Sequence, residues 1–136
     1  MLGRRRGVPD TDTPTPRRWS GPRARWAAFG LAVLVSVVVL FAPADDVPSD
    51  LPPGTDKVVH VVLFAVLTLT GRRAGLGAAA LVPSLLAYAV LSEVAQGTLL
   101  PGRSADGWDV LADAVGVLLG VVLGRRLREC GRVRGR

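Results

Sequence analysis

The sequence predicts an all-α integral membrane protein, a bundle of about four transmembrane helices with both chain termini in the cytoplasm. Hydrophobic residues make up 49% of the 136-residue chain, although it also carries 17 basic residues and a net charge of +6. The two kinds of residue are segregated, because arginines flank four apolar runs. The charge of the connecting segments alternates along the chain, as expected when successive helices cross a membrane in opposite directions.

Four apolar segments account for the predicted spans. A transmembrane helix needs about 20 residues, with a lower limit near 17. The predicted spans are residues 26–42, 57–71, 74–96 and 108–124. Trp26 and Trp108 start the first and fourth spans, where aromatic residues favour the membrane interface. The second span is long enough only if Asp56, Lys57 and His60 form its first turn at the membrane surface, with Lys57 extending its ammonium group towards water.

The segments outside the spans are basic and set the orientation. Residues 1–25 form an Arg-rich tail with several prolines, which we expect to be disordered. Residues 125–136 form a second basic tail. With four spans, fifteen of the 17 basic residues fall on one side of the membrane. The positive-inside rule makes that side cytoplasmic and places both tails there.

The first apolar run has a competing interpretation as a cleaved signal peptide. Residues 42–44, Ala-Pro-Ala, resemble an A-x-A cleavage site, and the arginine pair at 17–18 loosely resembles a twin-arginine signal. The apolar run is long for a signal-peptide core, however, and 25 residues precede it. We therefore expect residues 26–42 to be retained as a span.

Three polar clusters lie at the predicted outer ends of the apolar helices. They are Asp56-Lys57-x-x-His60, Ser92-Glu93-x-x-Gln96 followed by Pro101-Gly102-Arg103, and Asp106-x-x-Asp109-x-x-x-Asp113. An ionisable group at bilayer depth costs about 2.5–3.5 kcal/mol, so several on one side indicate a function. Taken alone, Asp56 is equally well explained as a helix cap and Lys57 as an interfacial anchor.

Glu93 and His60 are the strongest candidates for chemistry, and the catalytic candidates if the protein is an enzyme. Glu93 lies in the apolar run 85–95 with Gln96 on the same helical face, so its carboxylate must be paired, hydrogen-bonded or protonated. His60, the only histidine, lies one turn deeper than the start of its cluster. The alternatives are a structural hydrogen bond between helices for Glu93 and a packing role for His60.

Arg103 and the aspartates extend the predicted site. The Pro-Gly turn before Arg103 gives its guanidinium a defined direction, and arginine binds carboxylate or phosphate through two parallel hydrogen bonds. An ordinary interfacial arginine is the alternative. One interpretation of Asp106 is a cap of the fourth helix. Asp109 and Asp113 lie one and two turns into the predicted fourth helix. At that depth they need partners, such as Arg103, Lys57 or His60.

Gly116, Gly120 and Gly124 recur at every fourth residue of the predicted fourth helix and line one face. Small residues at this spacing allow helices to approach closely. The pattern predicts a packing surface, used either within the bundle or between the protomers of a homo-oligomer.

Other functional classes are less favoured by the sequence. Cys130 is the only cysteine, so neither an intramolecular disulfide nor a cysteine-based metal site is expected. Basic residues that flank apolar spans are explained by orientation and anionic lipid, so we expect no nucleic-acid partner. The hydrolase, zinc-protease and Walker A motifs are absent. We expect no metal and no cofactor, and the missing nucleophile motif weighs against an enzyme without deciding the question.

The polar residues, in this order, resemble the VanZ-like family of bacterial membrane proteins. The matching signature covers residues 55–124, runs from Asp56 to Gly116 and is preceded by a first helix. The resemblance implies a bundle of about four helices in the bacterial plasma membrane. The named member of the family is associated with low-level resistance to teicoplanin. The resemblance also implies that the recurrent polar positions of the family are Lys57, His60, Glu93, Gln96, Arg103 and Asp109. The chain departs at Ser92 and Asp113, where family members often carry an acid and an asparagine.

Three functions follow from these expectations. In the favoured one, Lys57, His60 and Arg103 hold the anionic group of a lipid-linked cell-wall precursor or lipoglycopeptide in the outer leaflet. Glu93, Gln96 and Asp109 orient these basic side chains. The second is an intramembrane enzyme that acts on a lipid phosphate or ester. The third is a structural subunit of a membrane complex, in which the polar groups tie the helix ends together.

Overall fold

A computed structural model describes residues 21–43, 51–102 and 104–133 and places four α-helices in them. They are α1 (Pro22–Leu40), α2 (Thr55–Ala74), α3 (Ala78–Leu99) and α4 (Gly107–Val133). The described part of the chain contains no β-strand. The all-α class is therefore confirmed for these residues, whereas most of the N-terminal tail and the last three residues lie outside them.

The helix bounds differ from the predicted spans for local reasons. α1 begins earlier than predicted because Pro22 occupies the start of the helix, where proline is well accommodated. The prediction that the third helix begins at residue 74 was wrong, because Ala74 is the last residue of α2 and Gly75 caps its end. α3 begins at Ala78. Gly75 has a φ of 103°, a left-handed conformation that favours glycine and terminates helices. α4 continues to Val133, well into the segment predicted as a basic tail.

Three of these helices are long and apolar enough to cross a membrane. The candidate spans are Pro22–Leu40, Ala78–Leu99 and Gly107–Cys130. Their outward surfaces carry large apolar side chains, including Leu34, Leu91 and Leu118, each at least 60% exposed. Such a surface suits lipid rather than water. α2 differs because charged residues stand in both its first and its last turn. The predicted membrane protein is thus supported, and the crossing by α2 stays a prediction.

α2 is the central helix of the bundle. It packs against each of the other three helices, and most extensively against α4. The glycines of α4 permit this close approach: a Cβ atom on Gly116 would overlap the carbonyl oxygen of Val61, and one on Gly120 would lie 2.5 Å from Thr68 Cβ. A Cβ on Gly124 would make only an ordinary contact, 3.7 Å from a methyl group of Leu69. The glycine face is thus used within the bundle, while its use between protomers stays a prediction.

The chain direction of the helices gives the bundle two chemically different ends. At one end α1 and α3 finish and α2 and α4 begin, and we call this the polar end. At the other, α1 and α3 begin and α2 and α4 finish, and we call this the basic end because arginines stand there in α1, α2 and α4.

Candidate functional site

Five of the six predicted ligand-binding residues lie at the polar end. They are Lys57, His60, Glu93, Gln96 and Asp109. The sixth, Arg103, lies outside the described residues. The polar clusters were expected to meet at one end of the bundle, and the contacts below join residues of all three.

Lys57 links the first turn of α2 to the beginning of α4. Its Nζ atom donates hydrogen bonds of 2.9, 3.0 and 3.1 Å to carboxylate oxygens of Asp56, Asp106 and Asp109. The Lys57 side chain is 37% exposed, so water screens these ion pairs and each contributes little to the stability of the fold. The ammonium group is already surrounded by three carboxylates, which leaves it little capacity for an external anion.

Asp106 caps α4, which confirms its interpretation as a helix cap. Its Oδ1 atom accepts a 3.0 Å hydrogen bond from the backbone N–H of Trp108, two residues further on. That bond, followed by the one from Lys57, holds the pKa of Asp106 below its usual value. The backbone N–H of Asp106 in turn donates to Oε1 of Glu93, so this residue joins α2, α3 and α4.

A buried histidine–aspartate pair lies beneath the Lys57 cluster. His60 Nδ1 and Asp113 Oδ1 are 2.9 Å apart and share a hydrogen bond. The other ring nitrogen, Nε2, lies 4.0 Å from Asp109 Oδ2. His60 is 5% exposed and Asp113 is fully buried. The expectation that the deep aspartates need partners is confirmed, and those partners are the basic residues of α2.

Glu93 and Gln96 make contacts that fasten the end of α3 to its neighbours. Glu93 accepts the Asp106 N–H described above, and Gln96 Nε2 donates a 2.8 Å hydrogen bond to the carbonyl oxygen of Leu40 in α1. Both side chains are buried. Ser92 donates to the carbonyl of Ala89 within α3. The prediction that Glu93 is hydrogen-bonded is confirmed. The contact is of the kind expected if Glu93 makes a structural hydrogen bond between helices.

Two buried carboxylate oxygens have no hydrogen-bond partner among the described residues. They are Oε2 of Glu93 and Oδ2 of Asp113. A buried polar atom without a partner is destabilising, and nearly all such atoms are satisfied in folded proteins. Each of these oxygens is therefore an acceptor that a proton, a water molecule or a donor group of a ligand would satisfy.

A cavity of about 390 Å³ adjoins the cluster, between the end of α1 and the start of α2. Its walls are mostly apolar and include Val39, Leu51, Pro52 and Val59. Asp56 and His60 also line the cavity and bring the polar cluster to its edge. This cavity could not be predicted from the sequence, because the 51–54 segment forms a wall only when it lies against α1.

The charges of the polar end are predominantly negative among the described residues. Five carboxylic acids surround only two basic side chains, Lys57 and His60, and they are Asp56, Glu93, Asp106, Asp109 and Asp113. The described residues include no group of three or more histidine, cysteine, aspartate or glutamate side chains arranged to hold a metal ion. The predicted ligand set did not include Asp113, and the excess of acids at this end was not predicted. The i, i+3, i+7 spacing of the aspartates did indicate that they share one helical face.

The fold and this site together indicate a helical membrane protein with a partly buried, acid-rich polar site at one end of its bundle. No protein-family model, no curated protein and no solved structure matches the chain.

Proposed function

We propose that the chain is a VanZ-like protein of the bacterial plasma membrane, with four spans and both termini in the cytoplasm. In this orientation the polar end faces outward, and its site binds a lipid-tailed molecule of the cell envelope or a lipoglycopeptide. The order of the polar residues and the three apolar helices support this proposal. α2 would cross as the fourth span with its charged first and last turns at the two membrane surfaces.

One observation carries the binding proposal: an apolar cavity borders a cluster of hydrogen-bonding and charged groups. Ligand sites in proteins are commonly apolar concavities with a few polar groups that fix orientation. Val39, Leu51 and Val59 would contact the tail of an amphipathic molecule, while His60 and Asp56 would contact its polar part. A molecule that lies at a membrane surface has this division between tail and head.

The charge of the site favours a polar part that donates hydrogen bonds. Lys57 is neutralised by three carboxylates, and His60 is bonded to Asp113. An ammonium or hydroxyl group would complement the carboxylate of Asp56, which lines the cavity. A phosphate would depend on Arg103. Between the two expected ligands, the described charges therefore favour a lipoglycopeptide such as teicoplanin over a phosphate-linked precursor. Low-level teicoplanin resistance would follow from such binding.

A second candidate function is intramembrane catalysis, which the His60–Asp113 pair favours. A carboxylate bonded to one ring nitrogen orients the imidazole, which is the arrangement of a general base. His60 also lines the cavity, where a lipid ester or phosphate would lie beside it. Binding and catalysis differ in one observable, because only catalysis changes the mass of the ligand.

The test is native mass spectrometry of the detergent-purified chain with teicoplanin, and with vancomycin as the glycopeptide without a lipid tail. We expect teicoplanin to bind at least about tenfold more tightly, which corresponds to about 1.4 kcal/mol. Val59→Trp fills the cavity and should reduce teicoplanin binding by a similar factor. Val58→Trp is the matched control, because Val58 is 62% exposed on the same helix and does not line the cavity.

Equal binding by the wild type and the Val59→Trp variant would contradict the binding proposal. A teicoplanin mass that is unchanged after incubation supports binding alone. A cleaved product formed by the wild type, but not by His60→Gln, would favour the catalytic candidate instead.

A further inference from the structure

A second cavity, of about 590 Å³, lies at the basic end of the bundle. It lies where α1 begins and where α2 and α4 approach their ends. Four arginines line it, contributed by three helices: Arg25, Arg72, Arg73 and Arg128. We call this the basic pocket. It lies at the opposite end from the polar site, so binding there does not depend on that site, although its place on the cytoplasmic side rests on the orientation proposed above.

The four guanidinium groups have no carboxylate partner among the described residues. Arg72 donates a 2.7 Å hydrogen bond to the carbonyl oxygen of Leu76, and none of the four forms an ion pair there. The first turn of α1 contains no acidic residue. Glu129 follows Arg128 in α4 but forms no ion pair with it. Four like charges around one cavity repel one another, and an anion between them would relieve that repulsion.

The surroundings of the basic pocket favour a lipid as the source of that anion. Leu69 and Leu127 lie in the wall beside the arginines. α1 and α4 are candidate membrane spans, so a pocket at their ends lies at the level of lipid headgroups. A phosphate group would contact the guanidinium groups, and an acyl chain would continue along the leucines. Basic pockets between helices on the cytoplasmic side are a known type of site for anionic headgroups.

We propose that the basic pocket binds the headgroup of an anionic phospholipid, and that it prefers a headgroup with two phosphates. Arginine binds phosphate through two parallel hydrogen bonds, so four guanidinium groups exceed what a single phosphodiester needs. Two phosphates would match the four positive charges more closely than one.

The experiment compares two triple variants with the same change in net charge. Arg25→Gln, Arg73→Gln and Arg128→Gln remove three arginines of the basic pocket while Arg72 keeps its bond to Leu76. The control triple, Arg23→Gln, Arg125→Gln and Arg126→Gln, removes three arginines of the same end that do not line the pocket. Native mass spectrometry measures binding of diphosphatidylglycerol, phosphatidylglycerol and phosphatidylcholine to each purified protein.

We expect the wild type to bind diphosphatidylglycerol most tightly and phosphatidylcholine least. The pocket triple should weaken diphosphatidylglycerol binding by about tenfold or more, and the control triple by less than about twofold. Equal losses in the two triples would overturn the proposal, because the basic end would then attract lipid only through its total charge. Inorganic phosphate that displaces the lipid at millimolar concentration would overturn the lipid assignment in favour of the free anion.

Discussion

At the scale of single residues, the polar end is organised around Lys57 and His60. Both side chains extend from α2 towards aspartates at or near the start of α4. Lys57 bonds to Asp106 and Asp109, and His60, one turn deeper, bonds to Asp113. Lys57 is half-exposed, so its ion pairs are weak and sensitive to salt. The lowered pKa of Asp106 means that its contribution to stability is present at neutral pH and lost as the pH falls through the folded-state pKa. The His60–Asp113 bond is the more important contact because both partners are buried, so bulk water does not screen it.

The first prediction concerns that buried bond. Asp113→Ala should lower the free energy of unfolding by about 1–3 kcal/mol, because it removes the hydrogen-bond partner of His60 Nδ1 in a buried position. Asp113→Asn keeps an oxygen acceptor of the same size and should cost clearly less. Thermal unfolding of the purified protein in detergent measures both changes. A loss in Asp113→Asn as large as in Asp113→Ala would show that the acceptor at this position does not stabilise the fold.

At the scale of helices, the contact between α2 and α4 positions the site. Lys57 and His60 reach the aspartates because Gly116 and Gly120 let the two backbones approach closely. Side-chain hydrogen bonds tie in the remaining helices. Gln96 bonds to Leu40, and the Ser36 and Tyr88 hydroxyls bond to each other, so two bonds join α3 to α1. Glu93 joins α3 to the residue that caps α4. The geometry of the site therefore depends on glycines that lie one to three turns deeper in the bundle.

The second prediction tests this packing. Gly116→Ala places a methyl group against the carbonyl oxygen of Val61 and should destabilise the protein by about 1–3 kcal/mol. Gly30→Ala is the matched control, since a Cβ at this helical glycine meets no atom within 4 Å. Unfolding in detergent reports the stability of both variants. Similar unfolding temperatures for wild type and Gly116→Ala would contradict the close approach of α2 and α4.

At the scale of the whole molecule, the outer surface of the bundle is largely apolar, and the interior combines an apolar core with several buried polar side chains. Leucine and valine side chains cover the outside, while His60, Glu93 and Asp113 are buried. The basic residues concentrate at one end and the buried acids at the other. This division suits a protein whose two ends face different sides of a membrane, with anionic lipid at the basic end.

The third prediction concerns topology and is tested by cysteine labelling with a membrane-impermeant maleimide on intact cells. Cys130 is exposed and should react only after permeabilisation. In a Cys130→Ser background, Ser104→Cys should react from outside, because it precedes α4 at the polar end. Arg23→Cys, before the apolar part of α1, should behave like Cys130 if all four helices cross.

The position of Arg23 decides the number of spans. If α2 did not cross, three helices would remain and Arg23→Cys would lie on the opposite side from Cys130. External labelling of Arg23→Cys while Cys130 stays protected in intact cells would therefore contradict the four-span topology, and external labelling of Cys130 would contradict its orientation.

Several features could be predicted from the sequence because they depend on local properties. Helix content and the three apolar helices follow from the length and composition of the apolar runs. The common face of Asp106, Asp109 and Asp113 follows from helical periodicity. Burial of charge in an apolar run requires a partner, so the need of Glu93 and Asp113 for hydrogen bonds was also predictable. The ends of the helices were less predictable. α2 ends where Gly75 adopts a left-handed backbone conformation, and not where the polarity of the sequence changes.

Only the tertiary structure decided which groups meet. The contacts of the polar end depend on the rotation and separation of neighbouring helices. They include the bond between His60 and Asp113, the three carboxylates around Lys57, and the bond from Gln96 to Leu40. The apolar cavity beside His60 forms only when the segment before α2 folds back against α1, and the basic pocket forms between three segments far apart in the chain. The sequence by itself determined the helices and the end of the bundle to which each charge belongs, because periodicity and hydrophobicity act over a few residues. The pairing of charges required the fold, because distances between helices are set by packing across the whole bundle.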